Sequence, residues 1–194
     1  MKRFLSLFIC ISVIFAAFCG CNLPSVNLTS TSTPSEDLLK FFDYLKAGDY
    51  VSAEGYVYNF STLGFKPDGQ SELQKRLESL LTASRNVSVI SEGEIFGRDC
   101  TVTVELTTLD FGKLDKALSE RVLDEIKTRE FNGETFETNE AILAVVYSVL
   151  DSMTVSMTEY YSSNRYDVDM KFSDDCWKIV CSEELYSAII GYAI

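Results

Sequence analysis

The amino-acid sequence predicts an α+β fold. N-terminal helices pack on a twisted antiparallel sheet of about four strands, cone-like, with a two-helix insertion between the two hairpins. Three observations carry this expectation. Apolar residues recur at helical spacing from about residue 36 to 84. The period changes to two over residues 85–110 and again over 160–181. Between these stretches lie two further helical patterns, separated by Phe131-Asn132-Gly133-Glu134.

The chain divides into residues 1–20, 21–35 and 36–194. Lys2 and Arg3 precede Phe4 to Phe18, an apolar run interrupted only by Ser6 and Ser12. That length suits a signal-peptide core and falls short of the roughly 20 apolar residues that span a bilayer as a helix. Gly20-Cys21 follows, then a Ser/Thr/Asn-rich stretch to Ser35 with Pro24 and Pro34, which reads as a flexible tether. Residues 1–21 resemble the lipobox signal of bacterial lipoprotein precursors, with Phe18 where Leu is usual and Cys19 where Ala or Ser is. The resemblance implies cleavage between Gly20 and Cys21 and a diacylglycerol (palmitate-type) lipid on the Cys21 thiol. It also implies attachment to the extracytoplasmic face of a bacterial, Gram-positive cell membrane. A secretory signal cut near Phe15-Ala16-Ala17 is the alternative. Two acyl chains anchor durably because each buried methylene contributes about 0.8 kcal/mol.

Ser35 offers an N-cap, with Glu36 and Asp37 in the first turn. Leu38, Leu39, Phe41, Phe42 and Leu45 form a helical stripe that stops at Gly48. Asp49 caps a second short helix expected to reach Tyr58. A third runs from about Ser71 to Ser84, with Leu73, Leu77, Leu80 and Leu81 on one face. Residues 85–95 and 99–110 then form a hairpin around Gly97, with Cys100, Val102, Val104 and Leu106 on one face of the second strand. Helices follow over about 112–130 and from Thr138 or Asn139. The second contains the apolar run Ala141 to Leu150, too short to span a membrane and expected to pack deeply against the sheet. Tyr166, Val168, Met170 and Phe172 alternate with Asp167, Asp169 and Lys171 in the third strand. Asp174-Asp175 turns, Trp177 to Cys181 returns, and Glu183 to Ile194 closes as a short helix or a strand extension.

The opening Leu38-Leu39-Lys40-Phe41-Phe42-Asp43-Tyr44-Leu45-Lys46-Ala47-Gly48-Asp49-Tyr50 resembles the start of nuclear-transport-factor-2-like domains of unknown function in Gram-positive lipoproteins. The closing Asp174-Asp175-Cys176-Trp177-Lys178-Ile179 is similar to that group's last strand, where an acidic turn precedes Trp-Lys-Ile. The resemblance covers about 25 residues at the two ends. It implies a cone fold whose concave sheet can hold a ligand, and it implies no reaction.

Composition narrows the function. The chain carries 29 acidic and 17 basic residues, a net charge of -12, which moves to about -14 once Lys2 and Arg3 are removed. Nucleic acid is therefore not an expected partner, since its affinity rests on cationic contacts to phosphate. The chain has no histidine, which excludes Ser-His-Asp and Cys-His catalysis and His-ligated zinc. Of six cysteines, Cys100, Cys176 and Cys181 remain beyond the lipidation site. Either one disulfide forms with one thiol left over, or all three are small apolar side chains. No metal or cofactor is implied.

In the sheet's mouth, proton transfer would fall to Asp43, Tyr44, Tyr58, Glu105, Asp167 and Asp169. Asp167 and Asp169, roughly 7 Å apart at strand spacing, could act as paired carboxylates. The alternative places both on the solvent face, where neither would matter to binding or activity. Tyr160, Tyr161 and Tyr166 either line a sugar or peptide surface or pack in the core. The expected function is a membrane-anchored, non-catalytic binding or interaction module for a small ligand or an envelope partner. The alternatives are a cone-fold enzyme using carboxylate and tyrosine, and a structural envelope protein.

Overall fold

Helix α1 (Pro34–Ala47) begins one turn before its apolar stripe, and Thr33 rather than Ser35 caps it. The Glu36 N–H donates to the Thr33 hydroxyl at 3.2 Å, and the Thr33 N–H donates to the Glu36 carboxylate at 2.8 Å. This reciprocal box satisfies two otherwise unpaired donors, and Pro34 takes the first helical position, where no N–H is needed. The computed structural model describes residues 32–59 and 71–191. The expected signal peptide, the Gly20-Cys21 cleavage site and most of the tether lie outside the described residues.

Asp37, whose acidity alone suits a helix N-terminus, is 1 % exposed. It accepts the Trp177 N–H at 2.9 Å, the Ser32 hydroxyl at 2.7 Å and the Lys40 ammonium at 2.9 Å. One carboxylate thus fastens the first turn of α1 to the last strand. Gly48 ends α1 at φ 72°, and Asp49 caps α2 (Tyr50–Glu54). That helix stops short of the expected Tyr58. Its backbone instead turns alongside the sheet, where Tyr58 N–H donates to Ile179 O at 2.9 Å and Ile179 N–H to Tyr56 O at 2.8 Å. Helix α3 (Glu72–Ser84) follows, capped by Ser71 with Gln74.

The sheet comprises β1 (Asn86–Glu92), β2 (Asp99–Leu109), β3 (Tyr161–Ser173) and β4 (Cys176–Val180). All neighbours are antiparallel and the order is β1-β2-β3-β4. The register sets Val102 opposite Val168, Val104 opposite Tyr166 and Met170 opposite Ile179. Asp174 and Asp175 both adopt positive φ, 52° and 62°, the handedness a two-residue hairpin needs to match strand twist. The inner face is covered by α1, α2 and α6 (Glu183–Ile189). Leu38, Phe41, Leu45, Ala53, Leu185 and Ile189 meet Val102, Val104, Met170, Trp177 and Ile179 in one buried cluster. This inner face is therefore filled with side chains.

Between β2 and β3 the expected insertion forms α4 (Phe111–Phe131) and α5 (Asn139–Met153), continued by a 3-10 segment over Thr154–Tyr160. Its packing corrects the expectation. Helix α5 does not lie against the sheet, because α1 already occupies the face that would receive it. It packs on α4 instead, and Val145, Val149, Leu150 and Met153 join Leu81 of α3, Leu109 and Leu114 in a second core. The helical run Asn139–Tyr160 spans 22 residues, and an 18-residue window within it has mean hydropathy 1.5, long and apolar enough to cross a membrane by length and composition alone. Its apolar stripe nonetheless belongs to this protein core. Near the N-terminal end of α5, Ile142 and Leu143 are exposed.

Hydrogen bonds close the second core where it meets the sheet, and the last of them joins it to the α6 end of the first core. Leu109 N–H donates to the buried Ser84 hydroxyl at 2.8 Å, Asp110 N–H to Tyr160 O at 2.9 Å and Phe111 N–H to Gly191 O at 2.9 Å. Gly191 sits at φ 85°, and a Cβ there would lie 2.6 Å from the Phe111 ring. Only glycine permits that approach.

Candidate functional site

With the inner face filled, a hollow opens on the outer face of the sheet. It is a groove of about 500 Å³ at the end where β2, β3 and β4 meet the 94–99 turn. Its floor comes from strand alternation. Register pairs Thr101 with Asp169 and Asp99 with Lys171, so these outward side chains stand side by side. The Thr101 hydroxyl donates to Asp169 Oδ1 at 2.9 Å.

Two aromatic walls flank this floor. Tyr58, 47 % exposed, is placed by the pairing of residues 56–58 with β4. Its neighbour Asn59 accepts the Cys181 N–H at 3.0 Å and fixes the segment's direction. Phe96, 68 % exposed, stands on a tight turn closed by Phe96 N–H to Asp99 O at 2.9 Å and Asp99 N–H to Phe96 O at 3.0 Å, with Gly97 at φ 64°. An aromatic ring of that exposure contributes nothing to the core. The Lys171 ammonium lies 4.8 Å from the centroid of the Tyr58 ring. Glu94 and Asp99 complete the rim.

The sequence candidates separate in space. Tyr58 and Asp169 are brought together in the groove. Asp167 is on the same outer face but beyond it, accepting from Thr103 Oγ1 at 2.7 Å. Both carboxylates lie on the solvent face, as one of the two readings had it, but the solvent face at Asp169 is walled. Glu105, opposite Arg165, is farther along β2. Asp43 is on exposed helix surface beside a smaller hollow with Lys46 and Arg85, and Tyr44 stacks on Tyr56 with ring centroids 5.9 Å apart. Tyr166 is buried in the sheet core and Tyr160 in the second core, so these tyrosines form no shared surface. Phe96, Thr101 and Lys171 escaped the sequence reading. The one signal for them was an aromatic residue in a Gly-containing turn.

Cys100, Cys176 and Cys181 are all free thiols. Burial pushes the Cys181 thiol up to about 11, and burial likewise raises Cys100 and Cys176. They are small apolar side chains rather than nucleophiles. Among the described residues, no group of three or more Cys, Asp or Glu comes together to hold a metal ion.

A second polar cluster lies away from the groove. Arg85, 3 % exposed, donates to Leu45 O at 3.3 Å and Ile189 O at 3.2 Å, while the Tyr50 hydroxyl donates to Glu78 at 3.0 Å. The guanidinium thus serves carbonyls at the C-terminal ends of α1 and α6, where a cation is favoured.

No family model matches the chain, and no curated protein matches it. The solved structure of the Bacillus subtilis protein ycdA, assigned as a lipoprotein, is similar at 15 % identity and a TM-score of 0.41. The similarity covers 85 % of this chain and 48 % of that one, so this chain spans about half the length of ycdA.

Proposed function

We propose that the chain is an exported, lipid-anchored binding module, held on the extracytoplasmic face of the cell membrane through Cys21, with its ligand site in the outer-sheet groove. The observation that carries the binding role is the pair of exposed rings, Tyr58 and Phe96, that line one groove with a hydrogen-bonded polar floor. Apolar surface left open beside ordered polar groups is what a ligand would cover. The anchor rests on the short apolar run ending at Gly20-Cys21. The reading also keeps the likeness of the chain's two ends to nuclear-transport-factor-2-like lipoprotein domains. It moves the ligand from the filled inner face to the opposite one.

Two experiments test this. Cys21→Ala should abolish lipid labelling and release the protein from membranes, or leave it unprocessed; unchanged labelling and attachment would refute the anchor. For the groove, the full chain in detergent is titrated calorimetrically with a panel of sugars, short peptides and small amines. Binding by any of them should be lost in Phe96→Ala, which exposes no core. Binding that survives Phe96→Ala and Tyr58→Ala together would place the site elsewhere. No binding by any of the panel would favour a structural envelope protein.

A further inference from the structure

We infer that the groove selects an organic cation, a ligand bearing a protonated amine. This rests on the reading of the groove as a ligand site and adds the ligand's chemistry. Three carboxylates, Glu94, Asp99 and Asp169, line it against the single ammonium of Lys171. That ammonium marks where a cation settles. Lys171 could extend toward its cross-strand neighbour Asp99, yet its Nζ stands over the face of Tyr58, 4.8 Å from the ring centre. Among the described residues it makes no ion pair. The negative face of an aromatic ring attracts an ammonium, more strongly as water is removed. The protein's own lysine therefore acts as an internal stand-in for the ligand's amine. Phe96 offers a second, unoccupied ring in the same groove. An anionic ligand would face three carboxylates and find only one cation, already engaged.

The geometry makes an unusual demand: removing the lysine should improve binding. Lys171→Gln vacates the Tyr58 face and deletes a like charge, so affinity for an amine should rise by about 2- to 5-fold, the worth of an exposed cation–ring contact. A gain cannot arise from damaged folding. Asp169→Asn and Tyr58→Ala should each weaken binding, and Tyr58→Phe should retain it. Asp124→Asn, on exposed α4 surface, should change nothing, which separates local recognition from the attraction of the whole acidic chain. The probes are spermidine and N-acetyl-lysine methylamide, with N-acetylglucosamine as neutral comparison and inorganic phosphate as anion, titrated into the full chain at about 0.15 M salt, where distant charges are screened. Binding of both amines at the groove with the Lys171→Gln gain supports the inference. Loss of affinity in Lys171→Gln, or phosphate binding that depends on Lys171, would overturn it. A neutral sugar that binds and is lost in Phe96→Ala, with neither amine binding, overturns the cation but leaves the groove as a ligand site. Silence from every probe counts against both.

Discussion

At the residue scale, two groups carry more than their surroundings suggest. Arg85 is the only described contact from α3's end to both Leu45 and Ile189 carbonyls. Burial lowers its pKa from the ordinary arginine value, but a guanidinium stays charged in proteins. Arg85→Met should strip the Ile189 carbonyl of its side-chain partner, while Leu45 O keeps the Gly48 N–H, at a cost of about 1–3 kcal/mol, read as a lower urea midpoint. Arg85→Lys should recover only part of this, since a point ammonium cannot reproduce the planar fork. Asp110 is the second group. Burial pushes its carboxyl upward, but the Lys113 N–H at 3.1 Å, the Ser162 hydroxyl at 2.9 Å and the Lys113 charge outweigh that and hold it below the usual range. A depressed folded pKa stabilises the fold above the unfolded aspartate value, near 3.9, and the contribution disappears as pH falls through the lower folded value. Asp110→Asn should therefore flatten the loss of stability below about pH 4. An unchanged acid limb would contradict this.

At the scale of elements, the helices and strands were legible because each obeys a local rule. Strand β3 alternates Tyr166, Val168, Met170 and Phe172 inward against Asp167, Asp169 and Lys171 because one face is buried and the other wet. The partner of α5 was not legible. An apolar helix announces that it is buried, not against what, and the occupant of the sheet was decided by α1, about a hundred residues earlier. The second core gives a prediction. Leu150→Ala should cost about 2–5 kcal/mol, because Leu150 is fully enclosed among the α3, α4 and α5 side chains. Ile142→Ala, 37 % exposed on the same helix, should cost far less. Comparable losses would mean that α5 packs along its whole length.

At the scale of the molecule, the groove was hidden from the sequence because it joins segments distant in the chain. Tyr58 comes from the segment after α2, Phe96 from the β1–β2 turn, and Asp169 and Lys171 from β3 beyond the insertion. No spacing rule connects them; only the register does. The same long-range ties bear on cooperativity. Strand β2 runs from the sheet core into the second core, and the Phe111 N–H to Gly191 O bond joins the two again. The fold should therefore melt as one unit. Trp177, the sole tryptophan, reports on the sheet core, while far-ultraviolet dichroism is dominated by the helices. The two signals should give coincident transitions; separate midpoints would show that the helical insertion unfolds independently.

Strand β1 forms one rim of the sheet and, among the described residues, pairs only with β2. An open rim is a template on which another chain could add a strand. The register shift between Val89 and Ser91 breaks the row of free backbone groups near its middle. A neighbouring copy could zip against only a few residues before losing step. Under the proposed lipid anchor, copies would crowd in two dimensions, and that kink would keep them from stacking edge to edge into fibres and leave the sheet's outer face open to what diffuses past.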